Sequence, residues 1–220
     1  MDTSLQPPHL LMEDSHAVPH GHQAALQDGL DFVNTLELEK GQPIDRLPDL
    51  PAALGWLREH DLIHPEAMAA EIDRGRDQPE AEARTLRRVT RLRAAMRALV
   101  EASVERRPPT QEALTEVNRS LRTHYVYVLV PAPDGVSLDH RHEGDPVEGA
   151  LARLAESLAR ELSQGDVERL RICANPSCAW AFFDTSRTGR RKWCNMSTCG
   201  NRAKAARHRE RLKEAVQAAG

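Results

Sequence analysis

Aromatic side chains are scarce in this chain of 220 residues: three Trp, three Phe and two Tyr make 4% of it. Long apolar runs are missing too. None approaches the length of a membrane span, so the sequence reads as that of a soluble protein with no membrane partner. The first 25 residues lack the basic start and apolar stretch of an export signal. There is no G-x-S-x-G, no H-E-x-x-H and no phosphate-binding glycine loop, so the chain does not read as an enzyme. Cysteine is almost absent: there are four, all in the last quarter.

Those four are the most informative residues. Cys173, Cys178, Cys194 and Cys199 form two C-x4-C pairs with a gap of 15 residues between them. Zinc takes four thiolates in a tetrahedron, and two short loops with paired cysteines supply them. Two disulfides are the plain alternative, but they belong to secreted modules, and four unrelated thiols would not fall into matched pairs. With four thiolates a zinc ion keeps no open position for water, which argues against a catalytic metal. Pro176, Asn175 and Ser177 make the first pair a turn. The second pair runs into a helix, with Ser197 or Asn195 as its N-cap. Ala179 to Asp184 and Arg190 to Trp193 read as a short hairpin between the pairs. Knuckle, hairpin and helix give a treble-clef-like zinc module.

The stretches Cys173-Ala-Asn-Pro-Ser-Cys178, Phe183-Asp-Thr-Ser-Arg187 and Arg191 to Lys204, with Cys199-Gly200-Asn201-Arg202 at their centre, resemble the CGNR zinc-finger family. Proteins with this finger usually carry an upstream ABATE domain, described as a stress-induced transcription regulator. Asp31-Phe-Val-Asn-Thr35 resembles the opening of that domain. The resemblance implies a bacterial DNA-binding regulator. Asn201 and Arg202 are signature residues of the family. Asn201 is expected to have a structural role, and Arg202 is open between structure and nucleic acid.

Charge divides the chain. From residue 171 to 220 there are 11 Lys and Arg against 3 Asp and Glu, a balance of +8. The whole chain carries -3, so the rest carries -3 - 8 = -11. A basic end on an acidic body is suited to meeting a polyanion at that end only. With thiols reserved for metal and no export signal, a cytoplasmic location is expected.

The chain divides into a flexible tail (1–22), a helical ABATE-like regulatory domain (23–165) and a CGNR-type zinc finger (166–220). The tail holds His9, His16, His20 and His22 at spacings too irregular for a metal site. Helices are expected from Gln23 to Glu39, within Leu47 to Leu62, after Pro65, from Pro79 to about Arg106, after Thr110, and from Pro146 to Ser163. Tyr125 to Val130 and Val136 to His140 read as paired strands. The fold class is therefore mainly α with a small β-hairpin, or α+β. Arginines on the longest helix read as a solvated face paired with acids such as Glu80 and Glu101. A sharper alternative puts Arg91 or Arg93 in a pocket for a small-molecule effector, beside Asn34 and Asn118.

Trp180 and Phe182 alternate onto one strand face and are expected to form the finger's core. On the final helix Lys204, Arg207, His208 and Arg211 share a face, while Ala205, Leu212 and Val216 are expected to pack inward. Arg187, Arg190, Arg191 and Lys192 form a second basic element, and Arg202 completes the candidate nucleic-acid set. Three functions are compatible with this pattern. The first is a DNA-binding transcription regulator, plausibly a homodimer because one small finger reads few base pairs. The second is an RNA-binding zinc protein. The third is a zinc-stapled module whose basic face meets an acidic protein.

Overall fold

The computed structural model describes residues 25–39 and 41–218, without the side chains of 39, 139–141 and 216–218. The tail with its four histidines, the expected helix start at Gln23 and the Val216 side chain lie outside the described residues. The fold is mainly helical with three small antiparallel hairpins. No helix among the described residues is long and apolar enough to cross a membrane.

Helix α1 spans Leu26–Asn34 and buries Leu30, Phe32, Val33 and Asn34. It is shorter than expected. Thr35 turns back, its Oγ1 donating to the Phe32 carbonyl at 2.7 Å, and the chain leaves the helix there. The alternating Leu36-Glu-Leu-Glu39 then forms strand β1, paired with β2 (Gln42–Asp45). Gly41 at φ 83° permits the tight turn between them. The sequence pattern had merged a helical period and a strand alternation into one segment.

Helix α2 (Leu50–Glu59) starts at Asp49, whose carboxylate accepts the Ala52 N–H. It is followed by α3 (Pro65–Asp77) and by α4 (Pro79–Val104), the longest helix at 26 residues. Val89, Leu92, Met96 and Val100 of α4 are buried along one stripe, as its periodicity predicts. Helix α5 (Gln111–Leu121) is capped by Thr110, and α6 (Pro146–Gln164) by Asp145. Leu30, Phe32, Leu54, Leu92, Met96, Leu154 and Leu158 meet in one core. Strands β3 (Tyr125–Ala132) and β4 (Gly135–His142) form the hairpin expected between α5 and α6.

Strand β5 (Leu170–Ile172) and β6 (Ala181–Phe183) pair around the first cysteine knuckle, with Leu170 opposite Phe183. This corrects the expected hairpin, because Arg190 to Trp193 is not a strand. Helix α7 (Asn201–Ala218) ends the described chain. Leu170, Ala181 and Phe183 belong to the core of the helical body rather than to a core of the finger. The finger is thus welded to the body along β5 and β6.

Candidate metal centre and nucleic-acid interface

The structure gathers Cys173, Cys178, Cys194 and Cys199 so that their Sγ atoms all lie within 4.8 Å of one another. Cys178 and Cys194 are 3.7 Å apart at sulfur, and Cys194 and Cys199 3.9 Å. Four sulfurs held about 2.3 Å from a central ion would stand about 3.8 Å apart. The donor set therefore fits a tetrahedral metal ion. All four thiols are free.

Two knuckles hold them. In the first, the Asn175 side-chain oxygen accepts the Ser177 N–H, and its carbonyl accepts those of Cys178 and Ala179. In the second, Asn195 is the cap: its oxygen accepts the N–H groups of Ser197 and Thr198. One turn of π-helix, Met196–Gly200, then carries Cys199 into α7. A Cβ at Gly200 would sit 2.3 Å from the Met196 sulfur, the end of an exposed side chain that can swing aside, and in a tight 3.2 Å contact with the Trp193 ring, so glycine lets these two side chains close over the helix start. The Asn201 amide donates to the Ser197 carbonyl at 3.0 Å and ties helix to knuckle.

Electrostatics call for a cation at this point. Burial pushes the Cys178 thiol up to about 11, and burial together with the neighbouring thiols pushes Cys194 up as well. For Cys199 burial works the same way, but the Asn175 amide and the adjoining thiols outweigh it and hold it below the usual thiol range. That amide donates to the Cys199 sulfur at 3.4 Å. Without a metal, Cys178 and Cys194 favour the protonated thiol at neutral pH; with one, all four can be thiolates.

Asp184, which the sequence reading passed over, organises the loop between the knuckles. It is fully buried and accepts the backbone N–H groups of Ser186 and Arg191 at 2.9 and 2.7 Å. Burial alone would raise its pKa, but those bonds and the Arg191 charge bring it down to about 2. The stability it contributes is present above the ordinary carboxylate range and is lost as pH falls towards 2. Arg169 closes the same loop by donating to the carbonyls of Asp184 and Ser186. Asp184→Ala would leave two buried donors without acceptors, at about 1–3 kcal/mol each. A loss of roughly 2–4 kcal/mol is expected, read as a lower melting temperature and faster stripping of metal by a chelator.

The candidate cations divide. Arg191 is committed to the finger itself: it donates to the Cys194 carbonyl and lies 5.2 Å over the Phe182 ring. Arg187, Arg190, Lys192, Arg202, Lys204, Arg207 and Arg211 are exposed. None of them has an ion-pair partner among the described residues, where Glu210 pairs only with Lys213. Lys204, Arg207 and Arg211 line one face of α7. Lys192, Arg202 and Arg207 line a groove of about 960 Å³ between the first knuckle, Trp193, Leu38 and α7. Arg209 joins them there, a residue the sequence reading missed although it stands seven positions after Arg202. Helix α7 is exposed from Lys204 to Ala215, so Ala205 and Leu212 do not pack inward. Trp180 is also exposed, and only Phe182 is buried beside the cysteines.

The expected effector pocket does not assemble. The buried Asn34 amide exchanges two hydrogen bonds with the Ala181 backbone, both 2.8 Å, as a strand neighbour would. Arg93 is buried and makes a two-pronged pair with Asp45 at 2.6 and 2.7 Å, with a third bond to Thr35. Asn118 is exposed on α5. Arg91 is exposed in a shallow depression with Arg74, Arg84, Arg87 and Arg88. Elsewhere on α4 the bland reading holds, with Arg84 facing Glu80 and Arg97 facing Glu101. Arg97 also donates to the Ala179 carbonyl at 2.8 Å, adding to the two Asn34 bonds from body to finger.

A helical body joined to a four-cysteine metal module defines the class. Residues 29–165 match the ABATE family model, whose description is "Putative stress-induced transcription regulator". The chain belongs to that family. Residues 169–212 match the CGNR zinc finger, in the order the sequence motifs imply. A comparison with curated proteins finds no match.

Proposed function

We propose that the protein is a zinc-dependent DNA-binding transcription regulator whose finger contacts the duplex through α7 and the loop after β6. The observation that carries this reading is the set of exposed cations without ion-pair partners on one end of the molecule. Arginines of the body such as Arg88, Arg93 and Arg97 are paired with acids, whereas Arg187, Arg190, Arg202, Arg207 and Arg211 of the finger have no ion-pair partner among the described residues. Phosphates are the partner such a surface fits, since each contact releases a condensed counterion. Helix α7 has 18 residues, about 27 Å of length. From Lys204 to Ala215 it is exposed on every side, a form that is marginal alone in water and gains stability from a binding partner. Its dimensions suit a major groove. Zinc is the metal the four-thiolate set and the finger family favour, and reduced thiols suit the cytoplasm.

The test is fluorescence anisotropy with duplex DNA and with RNA across a salt series. The triple variant Lys204→Ala, Arg207→Ala, Arg211→Ala removes only exposed side chains. It is expected to weaken duplex binding tenfold or more, and to reduce the slope of log affinity against log salt by about 3. An unchanged slope would remove α7 from the interface. Tighter binding to RNA than to duplex DNA would make RNA the target.

A further inference from the structure

The hairpin β3–β4 presents an exposed apolar face. Tyr125, Tyr127 and Leu129 of β3 and Val136 and Leu138 of β4 lie on one side, as the register Leu129 opposite Leu138 and Pro131 opposite Val136 requires. Their exposures are 49, 64, 70, 70 and 43%. Four other large apolar side chains are comparably exposed among the described residues, and those are scattered: Leu36, Trp180, Met196 and Leu212. Only β4 touches a helix appreciably, and that helix is α6. A two-stranded hairpin is marginal in water, so this one calls for cover.

We propose that a second copy of the chain is that cover, and that the exposed face of β3–β4 is a two-fold interface between helical bodies. Two arguments select a second copy over a different partner. The first is charge. Residues 1–170 sum to -11, so two bodies repel wherever acids face each other. Tyr125, Tyr127, Leu129, Pro131, Val136 and Leu138 carry no formal charge, and the register adds to their side only the histidines opposite Tyr127 and Tyr125, His140 and His142, so two acidic bodies can meet there without desolvating a carboxylate. A self-complementary apolar patch is also what a two-fold contact requires. The second is area. At about 150–250 Å² for a whole aromatic side chain, and somewhat less for Leu and Val, the five exposures amount to roughly 500 Å². Two copies would bury about 1,000 Å² from these side chains alone, the lower bound for a specific interface, before the hairpin rim is added.

The proposal does not depend on nucleic acid, and its test uses none. Sedimentation velocity and light scattering on the full, metal-loaded chain across micromolar concentrations should show a species of twice the 24.6 kDa chain mass. The double variant Leu129→Glu, Val136→Glu alters two side chains that are 70% exposed, so the monomer should keep its helicity and its metal content. Its self-association should fall at least tenfold. Hydrogen exchange of the wild type gives an independent reading: β3 and β4 amides should gain protection as concentration rises. Three results would each overturn the interface. One is a wild-type monomer throughout the concentration range. Another is a dimer that the double variant leaves intact. The third is a hairpin equally protected at every concentration, which would put another segment of the same chain there.

Discussion

Stripping the metal, or replacing Cys199 by serine, is expected to unfold the finger from Asp184 onward and to abolish nucleic-acid binding while the helical body stays folded. The region beyond β6 has little else to hold it. The one small apolar cluster it packs on is Cys173, Phe182 and Cys199, with Trp193, Cys178 and Cys194 against them. A structural zinc ion held by four such thiolates would contribute roughly 10–16 kcal/mol. No other interaction in the finger approaches that size. Strands β5 and β6 should behave differently from the rest of the module. Leu170, Ala181 and Phe183 sit in the body's core, and Asn34 and Arg97 bond the backbone on either side of Trp180. Hydrogen exchange on the metal-free protein should therefore show lost protection from Asp184 to the end of α7, with β5 and β6 still protected. Uniform loss across residues 170–218 would mean that the weld to the body needs the metal as well. Retained protection in α7 would mean that the metal is not what holds it.

The metal centre was legible in the sequence because its information is local. Each pair of cysteines spans six residues, the turn formers lie between them, and the gap is short. Helices α4 and α6 were legible for a similar reason, since a sustained 3.6-residue period survives over many turns. What failed was short or distant. The α1–β1 border hid because Leu36 and Leu38 satisfy both a helical and a strand pattern. The partner of β6 was misplaced because Arg190 to Trp193 was nearer in sequence than Leu170 to Ile172 was in pattern. Asp184 looked like one more surface acid, and only its two backbone donors reveal that it is the buried centre of a loop. Asn34 and Arg93 were singled out correctly as unusual polar residues within helices. Their partners lie 147 and 48 residues away, a distance no local pattern crosses. Asn34 stood as a candidate ligand contact in the sharper of two readings, and in the structure its side chain meets the chain's own backbone.

That difference gives the second large effect. Asn34→Leu is expected to destabilise the whole protein, though leucine is close to asparagine in size and the site is 5% exposed. The amide both donates to and accepts from Ala181, so leucine strands a buried N–H and a buried carbonyl at once. At about 1–3 kcal/mol for each unsatisfied group, the cost is roughly 2–5 kcal/mol. A chain of this size loses about 2–4 °C of melting temperature per kcal/mol, so a fall of roughly 5–15 °C is expected. Asn34→Asp should do no better, because its carboxylate can accept from the Ala181 N–H but faces the Ala181 carbonyl with no donor. The duplex-DNA affinity proposed for the metal-loaded protein should stay near that of the wild type, since no cation of α7 has moved. Chelators should strip the metal faster, because the knuckle between β5 and β6 would hang on a loosened hairpin. If melting is unchanged while some ligand response disappears, Asn34 is a ligand contact after all. If melting and metal retention fall together, the asparagine is the joint through which the helical body holds its finger.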